Sequence, residues 1–113
     1  MLVHHTLTAP SLCPINGARD VYEVTLQLTE LVPVETILAK VADFATLRIY
    51  QEDLTQALAD AFNCTVESVG FHSGVTTRCI CHALPSQRIN KDRAKTGRKR
   101  ATKPRRAADP SKR

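Results

Sequence analysis

D-V-Y-E-V-T-L-Q-L, residues 20–28, places Val24, Leu26 and Leu28 on one face and Glu23, Thr25 and Gln27 on the other. Alternation at period two marks a β-strand with one buried face. Working outward, residues 2–12 supply an antiparallel partner, and Asn16-Gly17 falls in the connection between the two. Downstream, Pro33 opens a helical pattern in which Val34, Ile37, Leu38, Val41 and Phe44 recur at helical spacing, with Glu35 in the first turn, where the helix dipole favours an anion. A second helix is expected from about Gln51, with Leu54, Leu58, Ala61 and Phe62 as its apolar set and Asn63 as its stop. T-V-E-S-V-G-F-H (65–72) and V-T-T-R-C-I-C-H-A (75–83) then form two β-rich runs joined at Ser73-Gly74, a short-turn dipeptide. The element order is ββααββ. Such a chain is expected to be an α+β unit with a four-stranded antiparallel sheet and two helices on one face.

Charge divides the chain in two. Residues 86–113 hold 12 of the 16 Lys and Arg and 2 of the 11 Asp and Glu, a local net charge of +10. Residues 1–85 keep 4 basic and 9 acidic side chains, a net −5, so the overall pI of about 9.3 describes a basic tail on an acidic body. The expected division is a folded domain over 1–85 and a Lys/Arg-rich tail over 86–113. Ile89 is the tail's only large apolar residue, so the tail is expected to be disordered when free. Arg98, Lys99, Arg100, Lys103, Arg105 and Arg106, with no aromatic residue among them, suit sequence-independent contact with the phosphates of tRNA or DNA. A body of about 85 residues makes a marginal core by itself, so assembly through sheet edges into a homo-oligomer is expected.

The opening M-L-V-H-H-T lacks the form of a secretory signal, and no apolar run reaches the roughly 18 residues that span a membrane, so a cytoplasmic protein without membrane partners is expected. Cys13, Cys64, Cys79 and Cys81 are accordingly read as reduced thiols. Cys79 and Cys81 should face the same side of a strand. C-x-C-H is not a standard zinc spacing, and no metal site is expected there or elsewhere.

The chemistry-bearing segment is S-L-C-P-I-N-G-A-R-D (11–20). It holds Cys13 in a turn-rich setting and Asp20 at the mouth of the alternating strand. A thiol near a proton-handling carboxylate is equipment for covalent catalysis. Taken singly, Cys13 suits a small buried hydrophobe, Asp20 a strand-entry residue and Glu52 a dipole-stabilised carboxylate. Together they make a catalytic set. His72, in G-F-H-S-G, is a further candidate to reach the pocket.

Residues 8–65 resemble the nitrile-reductase branch of the tunnelling-fold (T-fold) superfamily, the QueF family. In that family S-L-C-P is followed by a turn and an Asp seven positions after the Cys. R-I-Y-Q-E-D-L (48–54) places Glu52 at the Glu of the family's His-Glu pair, with Gln51 where the His usually stands. The reductases' cofactor motif, E-[SL]-K-[SA]-x-K, is represented by E-T-I-L-A-K (35–40), with Ile37 replacing the intervening Lys. The closer resemblance is to the QueF-like amidinotransferases, which add ammonia to the same nitrile instead of hydride.

The resemblance implies 7-cyano-7-deazaguanine as substrate, free or within a nucleic acid, and an archaeosine-type formamidine as product. Cys13 is the implied nucleophile that forms a thioimide, and Asp20 the implied general acid/base. Glu52 is the implied reader of the guanine-like edge, with Gln51 and His72 as further substrate contacts. It implies ammonia as co-substrate and no redox cofactor, and a pentameric ring or stacked decamer with pockets between subunits, so that Cys13 and Glu52 could come from different chains. The alternatives are an NADPH-dependent reductase of the same nitrile and a non-catalytic nucleic-acid-binding T-fold module.

Overall fold

The computed structural model describes residues 1–85; the basic segment 86–113, with its expected disorder and phosphate contacts, lies outside the described residues. The elements follow in the order β1 (Val3–Leu12), β2 (Arg19–Leu28), α1 (Val34–Ala42), α2 (Gln51–Phe62), β3 (Thr65–His72) and β4 (Val75–Cys81). The strands form one antiparallel sheet in the order β1-β2-β3-β4.

Register follows from the alternation at residues 20–28. Leu7 pairs with Val24, Ser11 with Asp20, Leu26 with Val66 and Val24 with Ser68, so Val24, Leu26, Leu28 and Val66 all point to one face. Leu54, Leu58 and Ala59 of α2 and Ile37 and Val41 of α1 complete the core on that face. The other face carries Thr6, Thr25, Glu67 and Arg78, with Thr6 and Thr25 hydroxyls 3.0 Å apart and the Arg78 guanidinium bound to the Glu67 carboxylate. Val21, Phe71 and Ile80 stand exposed on it. No helix among the described residues is long and apolar enough to cross a membrane.

The helix ends show what sequence periodicity could and could not decide. Pro33 is the N-cap of α1, and its carbonyl accepts from the N–H groups of Thr36 and Ile37. The helix stops at Ala42, short of Phe44, which is buried in the turn that follows. Val34 and Leu38, expected on the buried stripe, are about half exposed, because only a narrow strip of this nine-residue helix meets the sheet. Asn63 closes α2 in the left-handed conformation (φ 51°), donating its backbone N–H to the Ala59 carbonyl. Ser73 and Gly74 both have positive φ, 51° and 82°, as a two-residue hairpin turn of the primed type requires.

The connection between the helices passes over the end of β1. Leu12 donates its N–H to the Leu47 carbonyl (2.9 Å) and accepts from the Ile49 N–H (3.0 Å), a short parallel bridge beside Arg48. This strap delivers the N-terminus of α2 next to the residue that follows Leu12, which is Cys13.

Candidate active site

Cys13 begins the turn between β1 and β2. Its N–H donates to the Ala18 carbonyl (2.7 Å), its carbonyl accepts from the Gly17 N–H (2.8 Å), and Asn16 Oδ1 accepts from the Ala18 N–H (2.9 Å). The turn is thus tied at both ends, and the thiol is buried. Asp20 sits on β2 opposite Ser11, on the helix-facing side by the same alternation that buries Tyr22 and Val24.

Continuing the β2–β3 register past Glu23 and Val69 sets Tyr22 against Gly70 and Asp20 against His72. The side chains agree. A Cβ on Gly70 would come within 2.6 Å of the Tyr22 ring, so glycine is what lets that ring lie flat on β3. His72 Nε2 lies 3.8 Å from Asp20 Oδ1, while the Tyr22 hydroxyl donates to Asp20 Oδ2 (3.3 Å). Burial pushes the Tyr22 phenol up to about 12, and the charge and hydrogen bond of Asp20, then the charges of Cys13 and Glu52, push the same way. Tyr22 therefore stays protonated and keeps one Asp20 oxygen engaged.

Gln51, the first residue of α2, ties the helix to two strands. Its Nε2 donates toward Ser68 Oγ (3.0 Å), the Ser68 carbonyl (3.3 Å) and the Thr77 carbonyl (3.0 Å). Ser68 Oγ is also 2.6 Å from Thr55 Oγ1, whose hydroxyl lies 2.7 Å from the Gln51 carbonyl. These contacts fix where α2 begins, and so where Glu52 stands.

The result is a cleft of about 240 Å³ lined by Cys13, Asp20, Tyr22, Glu52, His72 and the Gln51–Thr77 contact. Cys13 and Glu52 of one chain line the same cleft. Larger or comparable hollows elsewhere, at the 28–32 segment and beside His82, contain none of these residues. Sequence reasoning named Cys13, Asp20, Gln51, Glu52 and His72 but not Tyr22. The signal for Tyr22 was present, since period two puts it on Asp20's face. It also gave no metal-ligand set, whereas Cys13, Asp20 and His72 offer a sulfur, an oxygen and a nitrogen all within 4.8 Å of one another.

Behind the cleft, Cys79 and Cys81 face the same side of β4 with sulfurs 3.8 Å apart, as alternation requires, and Cys81 Sγ approaches the Glu52 carbonyl at 4.0 Å. Burial, followed by the neighbouring Cys79, pushes the Cys81 thiol up to about 11. Burial likewise raises Cys64, partly offset by a backbone hydrogen bond at Gln27. Those two thiols are poor nucleophiles.

No family model matches the chain, and no curated protein matches it in sequence. Among solved structures it is similar to the archaeosine synthase QueF-Like in the apo form, with a TM-score of 0.66 and 22% identity, over 74% of this chain and 96% of that one. The chain has the fold of that synthase, consistent with the T-fold expected from its sequence.

Proposed function

We propose that this chain is a QueF-like amidinotransferase, converting the nitrile of 7-cyano-7-deazaguanine, free or carried in tRNA or DNA, to a formamidine through a thioimide on Cys13. The observation that carries this is the convergence of Cys13, Asp20 and Glu52 on one cleft within the fold of an archaeosine synthase. The Cys13 sulfur adds to the nitrile carbon, and the thiol proton passes through Asp20 to the nitrile nitrogen, giving the thioimide. Ammonia then adds to the same carbon, the C–S bond breaks, and Cys13 regains its proton as the formamidine leaves. Nitrile plus ammonia gives the amidine with no change of oxidation state, so no redox cofactor takes part.

Each neighbour has a task in this scheme. Tyr22 holds Oδ2 of Asp20, leaving Oδ1 to exchange the proton. His72 stands at 3.8 Å from Oδ1, close enough to steady the carboxylate as its charge changes. Glu52, held by the Gln51 contacts, offers two acceptor oxygens to the N–H and NH2 donors of the guanine-like edge. At about 240 Å³ the cleft lies below the roughly 300–1,000 Å³ of pockets that enclose drug-sized ligands, which suits one fused-ring base with any sugar and phosphate left outside. The basic segment 86–113 would then meet those phosphates.

The reductase alternative is disfavoured by residue 37. Ile37, where the reductase motif has Lys, is 1% exposed in the core under α1, so that helix position does not reach a cofactor. Assembly into a ring fits the outer strands β1 and β4, which have no further strand partner among the described residues, and the apolar Val21, Phe71 and Ile80 exposed on the face opposite the helices.

The test is product analysis. Full-length protein is incubated with ammonium and the nitrile, as free base and within RNA and DNA oligonucleotides, with and without NADPH. A formamidine formed without NADPH is expected. An aminomethyl product that needs NADPH would replace this assignment with the reductase. No product, together with nucleic-acid binding that is lost on removal of 86–113, would replace it with the binding module.

A further inference from the structure

The three donors that the cleft brings together have a second chemistry. Cys13 offers a thiolate sulfur, Asp20 a carboxylate oxygen and His72 an imidazole nitrogen, all within 4.8 Å of one another. We propose that Cys13, Asp20 and His72 form a binding site for a thiophilic first-row divalent cation of the zinc class, and that this cation and the nitrile compete for Cys13. The competition rests on the proposed function; the cation site rests on the donor geometry alone.

One sulfur, one oxygen and one nitrogen from three side chains, with the fourth position open, is a donor set that zinc accepts. Metal–ligand distances of about 2.3 Å to sulfur and about 2.0–2.1 Å to nitrogen or oxygen place tetrahedral donors roughly 3.3–3.7 Å apart. Nε2 of His72 and Oδ1 of Asp20 already stand at 3.8 Å, so closing the trio takes about an ångström of movement. The parts differ in their freedom to make it. Cys13 is buried in a turn tied at both ends, and Asp20 is paired across to Ser11. His72 is exposed at the end of the β3–β4 hairpin, next to the Ser73-Gly74 turn, and can swing onto a cation held by the other two.

The surroundings also favour a cation. Tyr22 donates to Oδ2 of Asp20 and leaves Oδ1 facing His72, the arrangement in which an outer hydrogen bond orients a ligating carboxylate. Glu52 adds a second carboxylate to the lining, which holds no Lys or Arg among the described residues. Binding replaces the Cys13 S–H bond with a sulfur–metal bond and releases the proton to solvent; the cation draws charge from the sulfur and occupies the space in which the nitrile would meet it.

Cobalt(II) reports such a site without reference to catalysis. Full-length protein, freed of metal by chelator dialysis, is titrated with Co2+ and followed by absorbance. The expected result is a thiolate-to-cobalt charge-transfer band saturating at one equivalent, displaced by Zn2+, with zinc protecting Cys13 from alkylation as located by mass spectrometry. Cys13→Ser and His72→Ala, checked for folding by circular dichroism, should lose the band. Tyr22→Phe should weaken cobalt about 10-fold. Cys79→Ser/Cys81→Ser should keep the band, separating this site from the other thiol pair. No band, or a band that survives Cys13→Ser or disappears with the Cys79/Cys81 change, overturns the proposal. Thioimide formation without cobalt binding would remove the cation site and leave the proposed function standing; cobalt binding without a thioimide would do the reverse.

Discussion

One face of the sheet carries two very different surfaces. Under α2, strands β2 and β3 present Val24, Leu26, Leu28 and Val66, each at most 2% exposed and packed on Leu54 and Leu58. A few residues along the same strands and the same face come Asp20, Tyr22, Gly70 and His72, followed by Cys13 at the turn. The strands do not change at the boundary; the helix does. α2 starts at Gln51, and the sheet runs on past it. The sheet face that the helix covers is apolar apart from Ser68, whose hydroxyl meets Thr55 and Gln51, and the face beyond it is left as a cleft lined by polar groups. The starting residue of α2 thus separates the packed core from the cleft.

The sharpest way to break this division is to remove one residue from each side. Cys13→Ala should abolish product formation, a loss of about 10³-fold or more, with little change in unfolding free energy. Leu58→Ala should leave the cleft's chemistry in the folded fraction but cost about 2–5 kcal/mol, read from the urea midpoint. If Cys13→Ala unfolds the protein or Leu58→Ala removes activity from fully folded protein, the two surfaces are not separable. Asp20→Asn should lower kcat by about 10²–10⁴-fold without a matching loss of stability, because the amide cannot carry the proton.

The boundary itself should be intermediate. Gln51→Ala removes the donor shared by Ser68 and Thr77 and should cost about 1–2 kcal/mol. It should also raise KM, since Glu52 loses its support. A stability loss with KM unchanged would mean that Glu52 is placed by other contacts.

The smallest effect concerns Tyr22. Its folded-state value of about 12 stands above the ordinary 10, so between those pH values the unfolded chain has lost a proton that the folded chain retains. Stability should therefore fall as pH rises from about 10 through about 12, and this part of the fall should be absent in Tyr22→Phe. Difference absorbance of tyrosinate between the two proteins gives the titration directly. A Tyr22 midpoint near 10 would contradict its burial against Asp20.

Much of this was legible in the sequence, for reasons that can be named. Alternation at 20–28, the Asn63 stop and the Ser73-Gly74 turn each reflect a local constraint, and each appears where it was expected. Cys13 and Asp20 share a cleft, and the spacing that pairs them is the one on which the QueF resemblance rests. The end of α1 was not legible: Phe44 fits helical periodicity yet packs from a turn, since a buried aromatic ring satisfies the core from either backbone. Val34 and Leu38 fit the same period but remain half exposed, because the width of the contact is a tertiary property. The meeting of His72 with Asp20 depends on the β2–β3 register, which aligns residues 52 positions apart, and no local pattern encodes that distance. Gln51 lines the cleft, and the turn of its amide hydrogens toward Ser68 and Thr77 is a tertiary contact that no local pattern encodes.

Covalent capture distinguishes a nucleophilic Cys13 from a merely buried one. Native protein and Cys13→Ala are incubated with 7-cyano-7-deazaguanine without ammonia and weighed intact, followed by peptide mapping. The expected result is one added nitrile mass on the native chain, located at Cys13, absent from the variant and discharged by ammonia as the formamidine. A native chain that gains no mass from the free base or from an oligonucleotide carrying it, or that gains it at Cys64, Cys79 or Cys81, would rule out Cys13 as the nucleophile.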